Sequence, residues 1–169
     1  MLEHIFNKCI YLGTWPTSFK TADIIPIYKD GAKNITSNYR PIALISNIAK
    51  IFEKIVLIRL QKFLLENKTV RDNQFGFMKN KGTEDALAFA TNLIYSSLDR
   101  NKAVIATFLD LSKAFDTVDH TILLQKLYKY GIKGLAHDLF KSYLSNRKKC
   151  VKINETHGDY KDLNNIAVP

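Results

Sequence analysis

Three aspartates fall within ten residues of one another, Asp110, Asp116 and Asp119, and the first follows an apolar run, Ala103-Val104-Ile105-Ala106-Thr107-Phe108-Leu109. A run of this length, rich in β-branched residues, predicts a central strand. A carboxylate at the end of a buried strand is costly to desolvate unless something pairs with it. Ligands and metals commonly sit at such strand ends. Three chemistries suit Asp110. It could bind Mg²⁺ for phosphoryl transfer, where two ions about 3.5–4 Å apart stabilise the attacking and leaving oxygens. It could be a nucleophile forming an aspartyl-phosphate. It could also cap a following helix, with no chemistry at all. The aspartyl-phosphate reading is weakened by Ser112, since haloacid-dehalogenase-like phosphohydrolases place a second Asp two residues after the nucleophile. Asp116 and Asp119 read as capping residues rather than metal ligands. His4, His120, His137 and His157 have no metal-ligand spacing.

The elements that must position these residues alternate between helix and strand. Leu2 to Leu12 predicts a helix closed by Gly13, and Trp15-Pro16 begins an extended stretch. Ala22 to Tyr28 predicts a strand, with Pro26 arguing for an edge. A polar loop from Lys29-Asp30-Gly31 to Asn38 leads into a second strand, Tyr39 to Ile45, returning beside the first. Ser46 is the expected N-cap of a helix from Asn47 to about Asn67, whose apolar residues cover more than one face and predict extensive burial. Gln74 to Gly82 is a loop, and Thr83 the expected N-cap of a helix reaching about Arg100. A short helical turn is expected from Ser112, then helices over Thr121–Tyr130 and Leu135–Leu144. A strand is expected over Lys148–Ile153 and the start of another near Ile166.

The chain has 169 residues, 46% hydrophobic, with 25 Lys and Arg against 16 Asp and Glu, a formal charge of +9. That balance favours polyanionic partners through counterion release. The basic residues cluster in Arg147-Lys148-Lys149 and Lys152, close to Tyr143 and Tyr160. No apolar stretch is long enough to cross a bilayer, and no signal peptide opens the chain. The expectation is an intracellular protein with Cys9 and Cys150 reduced.

The segment Phe108-Leu109-Asp110-Leu111-Ser112-Lys113-Ala114-Phe115-Asp116-Thr117-Val118-Asp119-His120 closely resembles motif A of reverse transcriptases from non-LTR retrotransposons. Pro26-Ile27-Tyr28-Lys29 with Asn38-Tyr39-Arg40-Pro41-Ile42-Ala43-Leu44-Ile45-Ser46 resembles the fingers motif of that family. Asp72-Asn73-Gln74-Phe75-Gly76-Phe77 with Thr83-Glu84-Asp85-Ala86-Leu87 resembles the next block, and Tyr143-Leu144-Ser145-Asn146-Arg147 the segment before the second palm motif. The blocks stand in the family's order and span nearly the whole chain. The resemblance implies an α+β right-hand polymerase, with fingers plus the N-terminal part of an incomplete palm sheet. Residues 14–100 would be mostly fingers, 101–120 palm motif A, and 121–169 a return between fingers and palm.

The resemblance also implies roles. Asp110 matches the aspartate that coordinates both Mg²⁺ ions, and Leu111 the position whose backbone carbonyl helps hold the nucleotide-side metal. Phe115 matches the bulky residue under the incoming sugar that excludes a 2′-OH; without the resemblance it reads as a core aromatic. Lys29 and Arg40 match residues that grip the dNTP triphosphate, and Pro41-Ile42 beside Arg40 is expected to be buried. Gln74 is placed against the template. Where the family commonly carries Arg after the Gly-Phe pair, Met78 and Lys79 stand here, leaving Lys79 and Lys81 as the cations facing template. Arg147, Lys148 and Lys149 are the remaining nucleic-acid candidates. The implied partners are an RNA template, a DNA primer and dNTP, without a membrane.

After a Val-Pro such as Val168-Pro169 the family continues with a Gln-Gly motif and, later, an aromatic-Ala-Asp-Asp hairpin. No Asp-Asp pair occurs in this sequence. The expectation is therefore part of an RNA-directed DNA polymerase that does not polymerise by itself. The competing readings are a non-catalytic nucleic-acid-binding module and a strand-end-Asp phosphohydrolase.

Overall fold

The computed structural model describes residues 1–111, 114–115, 117–153, 156–159 and 161–163. They form two compact units, Met1–Leu60 with Lys113–Pro169, and Gln61–Ser112. Asp116, Ser112, Tyr160 and the strand expected near Ile166 lie outside the described residues.

The first unit opens with helix α1 (Leu2–Leu12), ended by Gly13 in the left-handed region at φ 61°. The Gly13 N–H donates to Ile10 O and the Thr14 N–H to Cys9 O, a Schellman closure. A short 3₁₀ turn, Thr17–Phe19, leads into strand β1 (Thr21–Tyr28), which pairs antiparallel with β2 (Tyr39–Leu44). Pro26 and Pro41 stand opposite each other. Lys29 N donates to Asn38 O across the same pair, so the alternation of the ladder makes 26 and 41 a non-hydrogen-bonded pair. Two residues without an N–H therefore cost the ladder nothing. Over Thr21–Ile24 β1 also pairs, in parallel, with β3 (Arg147–Ile153). The edge position that Pro26 suggested is thus only half true. β1 is internal at its start, and its pairing with β3 stops at Ile24, two residues before Pro26.

Two short strands, β4 (Thr156–His157) and β5 (Lys161–Leu163), complete a five-stranded sheet of order β2-β1-β3-β4, with β5 also on β3. Helix α2 (Asn47–Glu66) is capped by Ser46, whose Oγ accepts from Ala49 N at 3.2 Å. Helices α4 (His120–Lys129) and α5 (Gly134–Leu144) follow later in the chain. The core of this unit gathers Phe6, Trp15, Phe52 and Leu139. Phe52 stacks on Phe6 at 4.8 Å between centroids and lies 4.4 Å from Trp15.

Burial of α2 is much narrower than its composition suggested. Only Ala49 and Phe52 are buried, while Ile48, Ile51, Leu57 and Ile58 are exposed. Composition sums over all faces of a helix, but burial depends on which faces find a neighbour.

The second unit holds the end of α2, a loop, and helix α3 (Thr83–Leu98). The N-cap of α3 is Gly82, not Thr83, and the helix stops two residues before Arg100. Asp85 decides the start, its Oδ2 accepting from Gly82 N at 2.7 Å. The largest correction concerns Ala103–Leu109, which is no strand. Residues 102–111 carry no regular element, and Ile105 and Phe108 are 93% and 92% exposed. A strand needs a neighbour for its N–H and C=O groups. The described strands pair only among themselves, leaving this run without a ladder.

Candidate nucleotide and nucleic-acid site

Lys29 and Arg40 sit on one hairpin of the first unit. Arg40 stands opposite Ile27 on β2, and Lys29 continues the pairing two residues past Ile27 through its N–H to Asn38 O at 2.8 Å. Side chains two apart on a strand share a face. Lys29 and Arg40 are therefore diagonal neighbours on one side of the hairpin, about 7–8 Å apart by ordinary sheet geometry. Both are exposed. Lys29 Nζ lies 3.8 Å from Asp30 Oδ2, a pair open to solvent on both sides and hence weak. Pro41 and Ile42 are exposed too, correcting the expectation that they would be buried beside Arg40.

The loop behind these cations is built to hold one shape. Tyr28 Oη donates to Gly31 O, Asn38 Nδ2 to Ala32 O at 2.9 Å, and Tyr39 Oη to Lys33 O at 2.8 Å. Gly31 has φ 87°, and a Cβ there would meet Asn38 Nδ2 at 2.5 Å. The two cations consequently project from a loop held by several bonds.

Phe115, also in the first unit, is 78% exposed in a turn, which does not suit the core-aromatic reading. Asp119 serves as the N-cap of α4, its Oδ1 accepting from Thr121 N at 2.7 Å and Ile122 N at 3.0 Å. These bonds hold its carboxyl below the ordinary carboxylate range.

Asp110 and Leu111 belong to the second unit and are exposed. Asp110 is thus not the desolvated carboxylate its setting suggested, because the run before it is not buried. Among the described residues it caps no helix either, since the next described helix starts at His120 with Asp119 as its cap. The carboxylate and the Leu111 carbonyl are hard oxygen donors of the kind Mg²⁺ prefers. Among the described residues, however, no group of three or more His, Cys, Asp or Glu gathers to hold a metal. One carboxylate neutralises little of the charge of two Mg²⁺ ions, so Asp110 by itself does not complete such a site.

In the loop before α3, Lys81 Nζ donates to Asp72 O and, at 3.2 Å, to Gln74 O, and lies 5.2 Å over the Phe75 ring. Gln74 Nε2 donates to Gly76 O at 3.0 Å. Both side chains therefore brace the loop from within. Lys79 stands exposed beside them.

Arg147, Lys148 and Lys149 open β3 in the first unit. The Arg147 guanidinium lies 4.7 Å over the Tyr143 ring and donates to Tyr143 O at 3.3 Å. Tyr143 Oη donates to Glu53 Oε1 at 3.0 Å, and burial pushes that phenol's pKa up. Sequence reasoning missed the residue beside them, Lys20. It is only 7% exposed, its Nζ donates to Ser142 Oγ at 3.4 Å, and burial followed by the Arg147 charge pushes its pKa down. No local signal marks Lys20, since its contact is with a residue 122 positions away.

A family model for reverse transcriptase (RNA-dependent DNA polymerase) matches residues 27–166. The chain belongs to the reverse transcriptase family. It is 30% identical to a probable RNA-directed DNA polymerase from transposon BS of Drosophila melanogaster, over 92% of its own length. It is 32% identical over 90% of its length to the RNA-directed DNA polymerase from mobile element jockey of the same species. A Pol polyprotein from type-1 retrotransposable element R2 of Popillia japonica is 26% identical over 83% of the chain. The chain spans 17% of the length of the first two relatives. These relatives agree with the non-LTR resemblance carried by the residues around Asp110. Among the described residues no helix is long and apolar enough to cross a membrane.

Proposed function

We propose that this chain forms the fingers and the first palm segment of a right-hand RNA-directed DNA polymerase, and that its own task is to grip the incoming dNTP. The hairpin carries this reading: Lys29 and Arg40 share one exposed face. Two cations held at that spacing suit a triphosphate, with Arg supplying a planar fork and Lys a point charge. Phe115 offers a ring for the sugar, and a ring against C2′ leaves no room for an added oxygen. Asp110 and the Leu111 carbonyl contribute the first oxygen donors to the Mg²⁺ set, which when complete stabilises the attacking and leaving oxygens. Template and primer are held by backbone contacts from Arg147, Lys148 and Lys149 and from the Gln74–Lys81 loop, with Lys79 its outward cation.

The test is dNTP binding by the whole chain. Lys29→Ala and Arg40→Ala are each expected to weaken it by about 10- to 150-fold, as for loss of a charged hydrogen bond worth about 1.5–3 kcal/mol. Arg40→Lys should recover only part, because the fork is lost. Unchanged binding in both alanine variants sinks the assignment. On a primed RNA template, residues 1–169 alone are expected to incorporate no nucleotide. Incorporation that Asp110→Asn abolishes would show that the chain needs no further carboxylates.

A further inference from the structure

Lys20 and Arg147 present an unusual charge arrangement. The parallel register that pairs Thr21 with Lys148 sets Lys20 beside Arg147, and Lys148 N donates to Lys20 O at 3.0 Å. Lys20 is nine-tenths buried, and Arg147 is half-buried against Tyr143. Among the described residues neither is in an ion pair. Glu53 enters their network through Tyr143 Oη. The Lys20 ammonium donates to the Ser142 hydroxyl at 3.4 Å, and that oxygen already accepts from Trp15 N at 2.9 Å. A desolvated ammonium beside a guanidinium is costly unless an anion answers both.

We propose that Lys20 and Arg147, at the head of the β1–β3 pair, together hold a phosphate oxyanion. A tetrahedral phosphate can accept from an ammonium and a guanidinium at once, and among the described residues no carboxylate pairs with either. Lys148 and Lys149 continue the positive strand from this point, so a backbone phosphate of a bound nucleic acid and a free phosphate are both sources of the same chemistry. The nucleic-acid source rests on the proposed role of β3; the oxyanion site itself does not.

Two probes separate these. Trp15, the one tryptophan in the sequence, has its ring edge-on to Tyr143 at 4.6 Å between centroids, and Arg147 lies over that same Tyr143 ring, so its indole serves as a reporter. Inorganic phosphate added to the whole chain is expected to change Trp15 emission saturably, and Lys20→Gln or Arg147→Gln to abolish the change. Binding of a labelled RNA–DNA hybrid across a salt series is expected to lose about one unit of log–log slope in either variant. A phosphate response with an unaltered hybrid slope supports the site and assigns it to free phosphate. A hybrid slope that falls without a phosphate response assigns it to a backbone phosphodiester. Melting curves identify a variant that fails to fold. Arg147→Gln, at the more open of the two positions, then carries the test alone. The proposal is overturned if folded variants leave both the phosphate response and the salt slope as in the parent chain.

Discussion

Asp119 shows how a carboxylate with a structural task differs from one available for chemistry. Its Oδ1 accepts two backbone N–H groups at the start of α4, and this lowers its pKa. A folded-state pKa below the unfolded value stabilises the protein above the unfolded pKa, and the gain is lost as pH falls through the folded one. Asp119→Ala should therefore lower Tm at pH 7, and the gap to the parent should narrow below about pH 4, where the carboxyl protonates and keeps only a neutral acceptor. Asp119→Asn keeps an acceptor without a charge and should recover much of the loss with little pH dependence. Thermal melts at pH 7 and at pH 2.5 check both; a gap that does not narrow at low pH would mean that the carboxylate charge is not the cause. The capping role was legible in the sequence because a cap lies within three residues of what it satisfies. The two cations of the first hairpin were named by the motif resemblance, but their shared face follows only from the register of β1 against β2. Lys20 was not legible, because its meaning comes from Ser142 and Arg147, which are remote along the chain.

The same division between local and distant causes runs through the elements. Helix α1 ends where expected because Gly13 adopts φ 61°, a local property of glycine. A side chain there is doubly disfavoured: Cβ would lie 3.0 Å from both Asp138 Cβ and Leu135 O. Gly13→Ala is expected to destabilise the first unit by at least the left-handed penalty of about 1–2 kcal/mol, with the contact at the head of α5 adding to it. Chemical denaturation reads this directly, and a neutral result would show that α5 yields without cost. Pro26 and Pro41 were also readable as strand residues, but not the register that makes the pair harmless, which needs both strands aligned. Ala103–Leu109 marks the opposite limit. Its composition is that of a central strand, yet strandedness is a relation to a neighbour. None of the described strands pairs with it, and the run carries no regular element. For the same reason Asp110 lost the burial that made it conspicuous, while the motif around it kept its family signature.

For the molecule as a whole, two opposing forces follow from this exposure. The window Ala103–Leu109 holds no charge, no proline and no glycine, and its β-branched and aromatic residues match segments that pair into β-structure between chains. Ile105 and Phe108 are open to solvent. Against association stands a formal charge of +9, which repels a second copy over the Debye length, about 10 Å at 0.1 M salt and about 3 Å at 1 M. Raising salt removes the repulsion and leaves the apolar attraction. The chain should therefore sediment as a monomer at low ionic strength and self-associate as salt rises. Ile105→Lys places a charge in the middle of the window and should shift the onset to higher salt. Leu87→Lys adds the same charge on the exposed surface of α3 and should shift it less. Equal shifts would mean that net charge alone controls association and the window does not. Nucleic-acid binding has the reverse dependence, since phosphate contacts weaken as salt rises. A salt series with and without RNA–DNA hybrid therefore separates the two processes by sign. At low salt hybrid should bind a monomer, and at high salt the chain should self-associate whether or not hybrid is present.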